Sequence, residues 1–119
     1  MSSNYVPVSA TNVSLQNNTT ANFFVSRNIK CSCFDGLRLT FQIQYNDRLD
    51  VYSIRVDWFD AAGSLLFSES TSTHLYSTTL FSDLPVKGYY ARITLSTANT
   101  TAPPAPYPIY NLVSVLYKK

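Results

Sequence analysis

The chain of 119 residues is 45% hydrophobic but only 13% charged, where a soluble domain usually carries about 25% charge, so hydroxyls, amides and phenols cover what its length makes one domain, 1–119. Nine scattered basic residues against seven acidic ones leave a net charge of +2; no basic stripe points to nucleic acid, no apolar run nears the ~20 residues of a membrane helix, and neither is expected as a partner. One Glu, one Met, three Gln and four Lys are too few straight-chain helix formers for a helical bundle, while β-branched and aromatic residues abound.

In chain order, the N-terminal residues 1–16 show neither the basic head nor the apolar run of a secretion signal, which implies synthesis in a cytoplasm; residues 1–20 are polar and interrupted. They read either as an N-terminal arm that orders on assembly or as short strands at 5–8 and 13–15, and a third short strand is expected at 22–26. The N-x-S/T triplets headed by Asn12, Asn17, Asn18 and Asn99 carry no weight without secretion. On a strand, Cys31 and Cys33 would share a face, near or beyond the ~7 Å Cα limit for a disulfide. A zinc site would need two further ligands, and the chain has one histidine, His74, so the pair reads as two small buried thiols.

Residues 37–45, LRLTFQIQY, alternate without a fault, with Leu37, Leu39, Phe41, Ile43 and Tyr45 on one face. Residues 51–59 repeat the pattern with Tyr52, Ile54, Val56 and Trp58 inward until Phe59 breaks it. Both are half-buried strands. Asp60-Ala61-Ala62-Gly63 is a turn signal with Gly63 free to take a positive φ, and 64–68 returns as the partner strand of a hairpin. Residues 71–80 are ragged, which suits an edge strand or a crossing between sheets, and Asp83-Leu84-Pro85 ends them. After Lys87-Gly88 comes a further strand at 89–96. The segment 102–108, APPAPYP, has four prolines and reads as an extended strap. Residues 109–117 close the chain as a strand. About eight strands with a turn signal every ten residues or so imply an all-β, two-sheet antiparallel β-sandwich, jelly-roll-like. Its expected core is Leu39, Phe41, Ile43, Tyr52, Ile54, Val56, Trp58, Ile93, Leu95, Leu112 and Leu116.

Catalytic chemistry has little to stand on. None of the three glycines brackets a serine as a nucleophile elbow requires, and His74 in its Ser/Thr run reads as a surface side chain. Asp57 and Asp60 straddle a strand end and its turn, while Asp47 and Asp50, with Asn46, flank a solvated loop. No phosphate cradle is present. No catalytic, cofactor-binding or metal-ligating residue is therefore assigned, and no enzyme is expected. What remains is an interaction surface, for which Tyr5, Tyr76, Tyr90, Tyr107 and Tyr110 are the candidates along with Pro103, Pro104 and Pro106. Tyrosine offers a large apolar face and a hydroxyl at small entropic cost, and a proline strap is already extended before it binds. Scarce charge also leaves strand edges open to pairing with other chains.

The segments Val86-Lys87-Gly88-Tyr89-Tyr90-Ala91-Arg92-Ile93 and Ile109-Tyr110-Asn111-Leu112-Val113-Ser114-Val115 resemble the closing strands of discoidin-like or galactose-binding-like jelly rolls. They also resemble small β-sandwich proteins of tailed-bacteriophage virions, and low charge with abundant Ser, Thr and Asn favours that side. The resemblance implies a non-enzymatic head-decorating or cement protein on the capsid exterior. It also implies a homotrimer whose partners are its own copies and the major capsid protein. The competing class is a carbohydrate-binding sandwich on a tail or fibre, stacking tyrosines on a glycan.

Overall fold

A computed structural model describes residues 4–15, 22–44, 51–73, 77–98 and 106–118, the side chains of 4–7 and 77–82 excepted. The described residues form nine strands: β1 (Asn4–Ser14), β2 (Asn22–Val25), β3 (Ile29–Lys30), β4 (Gly36–Gln44), β5 (Tyr52–Phe59), β6 (Leu65–Thr73), β7 (Ser77–Pro85), β8 (Tyr90–Thr97) and β9 (Ile109–Tyr117). One sheet runs β1-β9-β4-β7; the other runs β2-β8-β5-β6, with β3 also on β8. All pairings are antiparallel. If the two-residue β3 is set aside, the remaining strands stand first–eighth–third–sixth in one sheet and second–seventh–fourth–fifth in the other. That order is a jelly roll.

Period-two alternation builds the core. β4, β5, β8 and β9 are the inner strands of the two sheets, and each turns alternate side chains onto the facing sheet. Every expected core residue from Leu39 to Leu116 has no exposed surface, and Ile29, Leu37 and Ala91 join them. Aromatic rings pack the middle: Phe41 lies 6.2 Å from Tyr110 and 6.0 Å from Tyr52, centroid to centroid. Phe59 departs from the alternation and is still buried, because the Arg92 guanidinium lies 5.0 Å over its ring. The backbone at Gly88 also approaches closely, since a Cβ there would sit 2.8 Å from the Phe59 carbonyl oxygen.

The hairpin is closed as its sequence implies. Asp60 accepts from the N–H groups of Ala62 and Ser64 at 3.0 and 2.8 Å, and Gly63 has φ of 90°. The return strand is longer than the expected 64–68, reaching Thr73, because its second half has no apolar residue to show the alternation. The ragged 71–80 segment divides between β6 in one sheet and β7 in the other, so it crosses between sheets. The expected strands at 5–8 and 13–15 are parts of the single strand β1, whose register on β9 shifts twice. Cys31-Ser32-Cys33 forms a turn rather than a strand. That corrects the reading of two buried thiols: Cys31 is buried and Cys33 exposed.

Candidate interface at the sheet edges

One end of the sandwich is knitted by backbone bonds between loops. Tyr89 N–H donates to Phe59 C=O and Cys31 N–H to Tyr89 C=O, each at 2.8 Å, while Val86 N–H donates to Asp35 C=O at 3.0 Å and Asp35 N–H to Tyr117 C=O at 2.9 Å. This end holds the 60–64 turn and the start of β6. At the opposite end Leu15 N–H donates to Pro108 C=O at 2.8 Å.

The expected surface residues are divided between these ends. Tyr90 lies at the knitted end, half-buried, with its ring 4.7 Å from that of Tyr89, and the Lys30 ammonium stands 5.6 Å over Tyr89. The backbone of Tyr5 pairs with Leu116 at that end too. Tyr107, 38% exposed, and the exposed Pro106 lie at the other, about 25 Å away along an eight-residue strand. No single face gathers them. Tyr110 is corrected outright as a surface residue: it is 3% exposed, because the inward set of β9 is Tyr110, Leu112, Ser114 and Leu116. Its ring lies 5.2 Å from Phe23, and burial raises its phenol pKa. Tyr76, Pro103, Pro104, His74, Asn46, Asp47 and Asp50 lie outside the described residues.

Among the described residues the two most exposed large apolar side chains, Leu65 and Leu66, are elsewhere, on β6, ahead of Val25 on β2 at 53%. Leu65, Leu66 and Phe67 are 59%, 55% and 46% exposed. The sequence carried this signal in plain view: three consecutive apolar residues in a strand cannot all face one core. β6 is the outermost strand of its sheet. Behind it, Glu69 accepts from the Trp58 indole N–H at 2.7 Å, and the Lys87 ammonium donates to both Glu69 oxygens at 2.9 Å. Lys87 also lies 5.0 Å over the Phe67 ring. The chain's single Glu thus satisfies a fully buried indole donor that would otherwise be left unpaired.

On the outer face of the same sheet, Asp57 is 3% exposed. It accepts from Ser68 Oγ at 2.7 Å, and Arg55 Nε and an Arg92 terminal nitrogen approach its oxygens at 3.1 and 3.3 Å. Burial alone would raise the carboxyl pKa, but the Ser68 hydroxyl, the Arg55 charge and Arg92 together hold it below its ordinary value. The cluster ties β5 to β6 through Ser68 and to β8 through Arg92 on this face. Burial pushes the Cys31 thiol up to about 11, against a smaller opposing effect of a hydrogen bond to the Ala91 backbone, which leaves it inert at neutral pH. Among the described residues no group of three or more His, Cys, Asp or Glu could hold a metal ion, and no helix is long and apolar enough to cross a membrane.

No protein-family model matches the chain, and no curated protein matches it either. Solved structures do. A chain in a structure of turnip yellow mosaic virus is similar with a TM-score of 0.48 and 11% identity, over 99% of this chain and 93% of that one. Chains from the infectious bursal disease virus particle and from its Gx strain follow at TM-scores of 0.36 and 0.37 and identities of 8% and 10%. This chain spans 30% and 32% of their lengths.

Proposed function

We propose that the chain is a non-enzymatic structural protein of a virus particle, which acts by burying contacts between subunits of a shell. Jelly rolls recur in viral capsid and lectin domains and in cupins. The observation that favours assembly is the β6 edge: a nine-residue outer strand that presents Leu65, Leu66 and Phe67 to solvent. Exposed apolar side chains on an outer strand are an aggregation liability in a free monomer and an interface in a protein that is packed among others. Low charge belongs to the same reading, since a surface of Ser, Thr and Asn repels neighbouring copies little.

Within that class the resemblance favours a decorating protein on the capsid exterior, holding adjacent shell subunits. Such a protein stabilises a shell by binding only the assembled state. Copurification tests both levels. A virion protein stays with particles through a density gradient, and a decorating one does so at a fixed ratio to the shell subunits, with particles lacking it bursting at lower temperature. Protein that ignores particles and instead binds a glycan array, with the signal lost on Tyr90→Ala or Tyr107→Ala, belongs to the carbohydrate-binding class.

A further inference from the structure

Each sheet has two outer strands, and three of the four outer edges carry the devices with which sheet proteins block unwanted pairing. β1 contains Pro7, two register shifts and a left-handed Asn12 at φ 55°. β2 is four residues long with a register shift of its own, and the two-residue β3 continues its edge. β7 shifts register against β4 and carries Asp83 and Pro85. β6 differs from all three. It has no Lys, Arg or Pro, and from Phe67 to Thr73 its ladder on β5 runs without a break. Among the described residues no strand pairs with its outer side.

Parity shows which backbone groups that outer side offers. Ile93 turns both polar groups toward Ser26, its C=O accepting from Ser26 N–H and its N–H donating to Ser26 Oγ, each at 2.8 Å. In β8 the odd-numbered residues therefore face the β2 side and the even-numbered ones face β5. Their β5 partners are the odd-numbered Ser53, Arg55, Asp57 and Phe59, which leaves Tyr52, Ile54, Val56 and Trp58 to bond to β6 through Thr73, Thr71, Glu69 and Phe67. The N–H and C=O groups of Ser68, Ser70 and Ser72 consequently point away from the sheet.

We propose that β6 pairs antiparallel with β6 of a second copy about a two-fold axis at Ser70, fusing the two five-stranded sheets into one. The proposal rests on the assembly reading above and names its contact. Ser70 is the midpoint of the unbroken run Phe67–Thr73, so this register uses every regular residue of the edge. It sets Ser70 opposite its own copy and Ser68 opposite Ser72 of the other chain, all outward-bonding residues, as antiparallel hydrogen-bonded pairs require. On the other face Glu69 meets Thr71 and Phe67 meets Thr73. A shift of the axis to Glu69 would place two carboxylates opposite one another, which is unfavourable. In the Ser70 register the strand's one charge meets a hydroxyl and stays compensated by Lys87, so the edge is complementary to itself. A symmetric contact of this kind is isologous and closes on itself. Seven paired residues bury less than the roughly 1,200 Å² of a standard stable interface, so pairing depends on concentration in solution and is reinforced where shell contacts repeat.

The test is the mass of the full chain by light scattering over a range of concentrations. The wild type is expected to pass from monomer to dimer as concentration rises. Ser70→Lys, which sets two ammonium groups face to face while its side chain stays in solvent, is expected to remain monomeric with an unchanged melting temperature. In a Cys33→Ser background, Ser70→Cys is expected to give a disulfide-linked dimer on mild oxidation, since hydrogen-bonded partners stand about 5.5 Å apart at Cα, and Ser53→Cys is expected to give none. A wild type that is monomeric throughout or forms trimers, or a Ser70→Cys chain that cross-links no better than Ser53→Cys, overturns the pairing. If Ser70→Lys still joins particles in a density gradient as wild type does, the pairing fails and the assembly reading stands.

Discussion

β5 and β6 are the two arms of one hairpin, bonded to each other along nearly their whole length, yet they meet opposite environments. β5 lies between β8 and β6, and five of its side chains (Tyr52, Ile54, Val56, Asp57 and Trp58) are 3% exposed or less. Among the described residues β6 has a neighbour on one side alone, and its first four residues are exposed. Position in the sheet accounts for the difference better than composition does, for β6 opens with Leu65-Leu66-Phe67, as apolar a triplet as any in β5. A strand with a partner on each side has its flanks covered and can turn one face wholly into the core. An outer strand leaves more of its side chains wet, and on β6 only Thr73, at its far end, is buried.

Changes at the hairpin should therefore sort by arm. The largest effect is expected of Trp58→Ala, which empties the biggest fully buried site in the chain and should cost about 3–5 kcal/mol in urea unfolding. Glu69→Ala comes next, since it strands the Trp58 indole N–H and frees Lys87; about 1–3 kcal/mol is expected. A loss near zero would mean that the β6 side contributes nothing to holding the buried arm.

Acid should act through Asp57, the outer-face residue that bonds the two arms through Ser68. Because its folded pKa is lowered from an ordinary 3.8, the folded state favours the carboxylate. That stabilisation is complete above the ordinary value and is lost as pH falls through the folded one. Unfolding free energy measured from pH 6 to pH 2 should fall at the acid end, and Asp57→Asn should flatten this part of the curve. The smallest effect on stability is expected of Leu66→Ser on the exposed arm, within about 0.5 kcal/mol of wild type. A large stability loss there would show that Leu66 packs within its own chain and would break the contrast.

Much of the fold could be read from the chain because alternation is a local property. LRLTFQIQY and VYSIRVDWF declare their inward faces without knowledge of their neighbours, and the core residues named from them are buried without exception. Where the reading was short, the deciding fact lay elsewhere in the chain. Ser70 to Thr73 continue β6 although no apolar residue marks them, because β5 offers partners at Arg55 to Tyr52. Tyr110 reads as a surface residue, one of several surplus tyrosines, but the register of β9 on β4 pairs it with Ile43 and turns it inward. The interface was the least legible part. An edge is defined by the strand that is missing beside it, and the order that leaves β6 outermost follows from how the two sheets close. Leu65-Leu66-Phe67 was the local trace of it, visible as a failure of alternation.

Amide hydrogen exchange, compared between dilute and concentrated protein, tests the unblunted edge most directly. The amides of Phe67, Glu69 and Thr71 should be protected at every concentration, since they bond to β5, whereas those of Ser68, Ser70 and Ser72 should exchange fast when dilute and slow markedly when concentrated. Amides at these three serines that exchange equally fast at both concentrations would contradict the account.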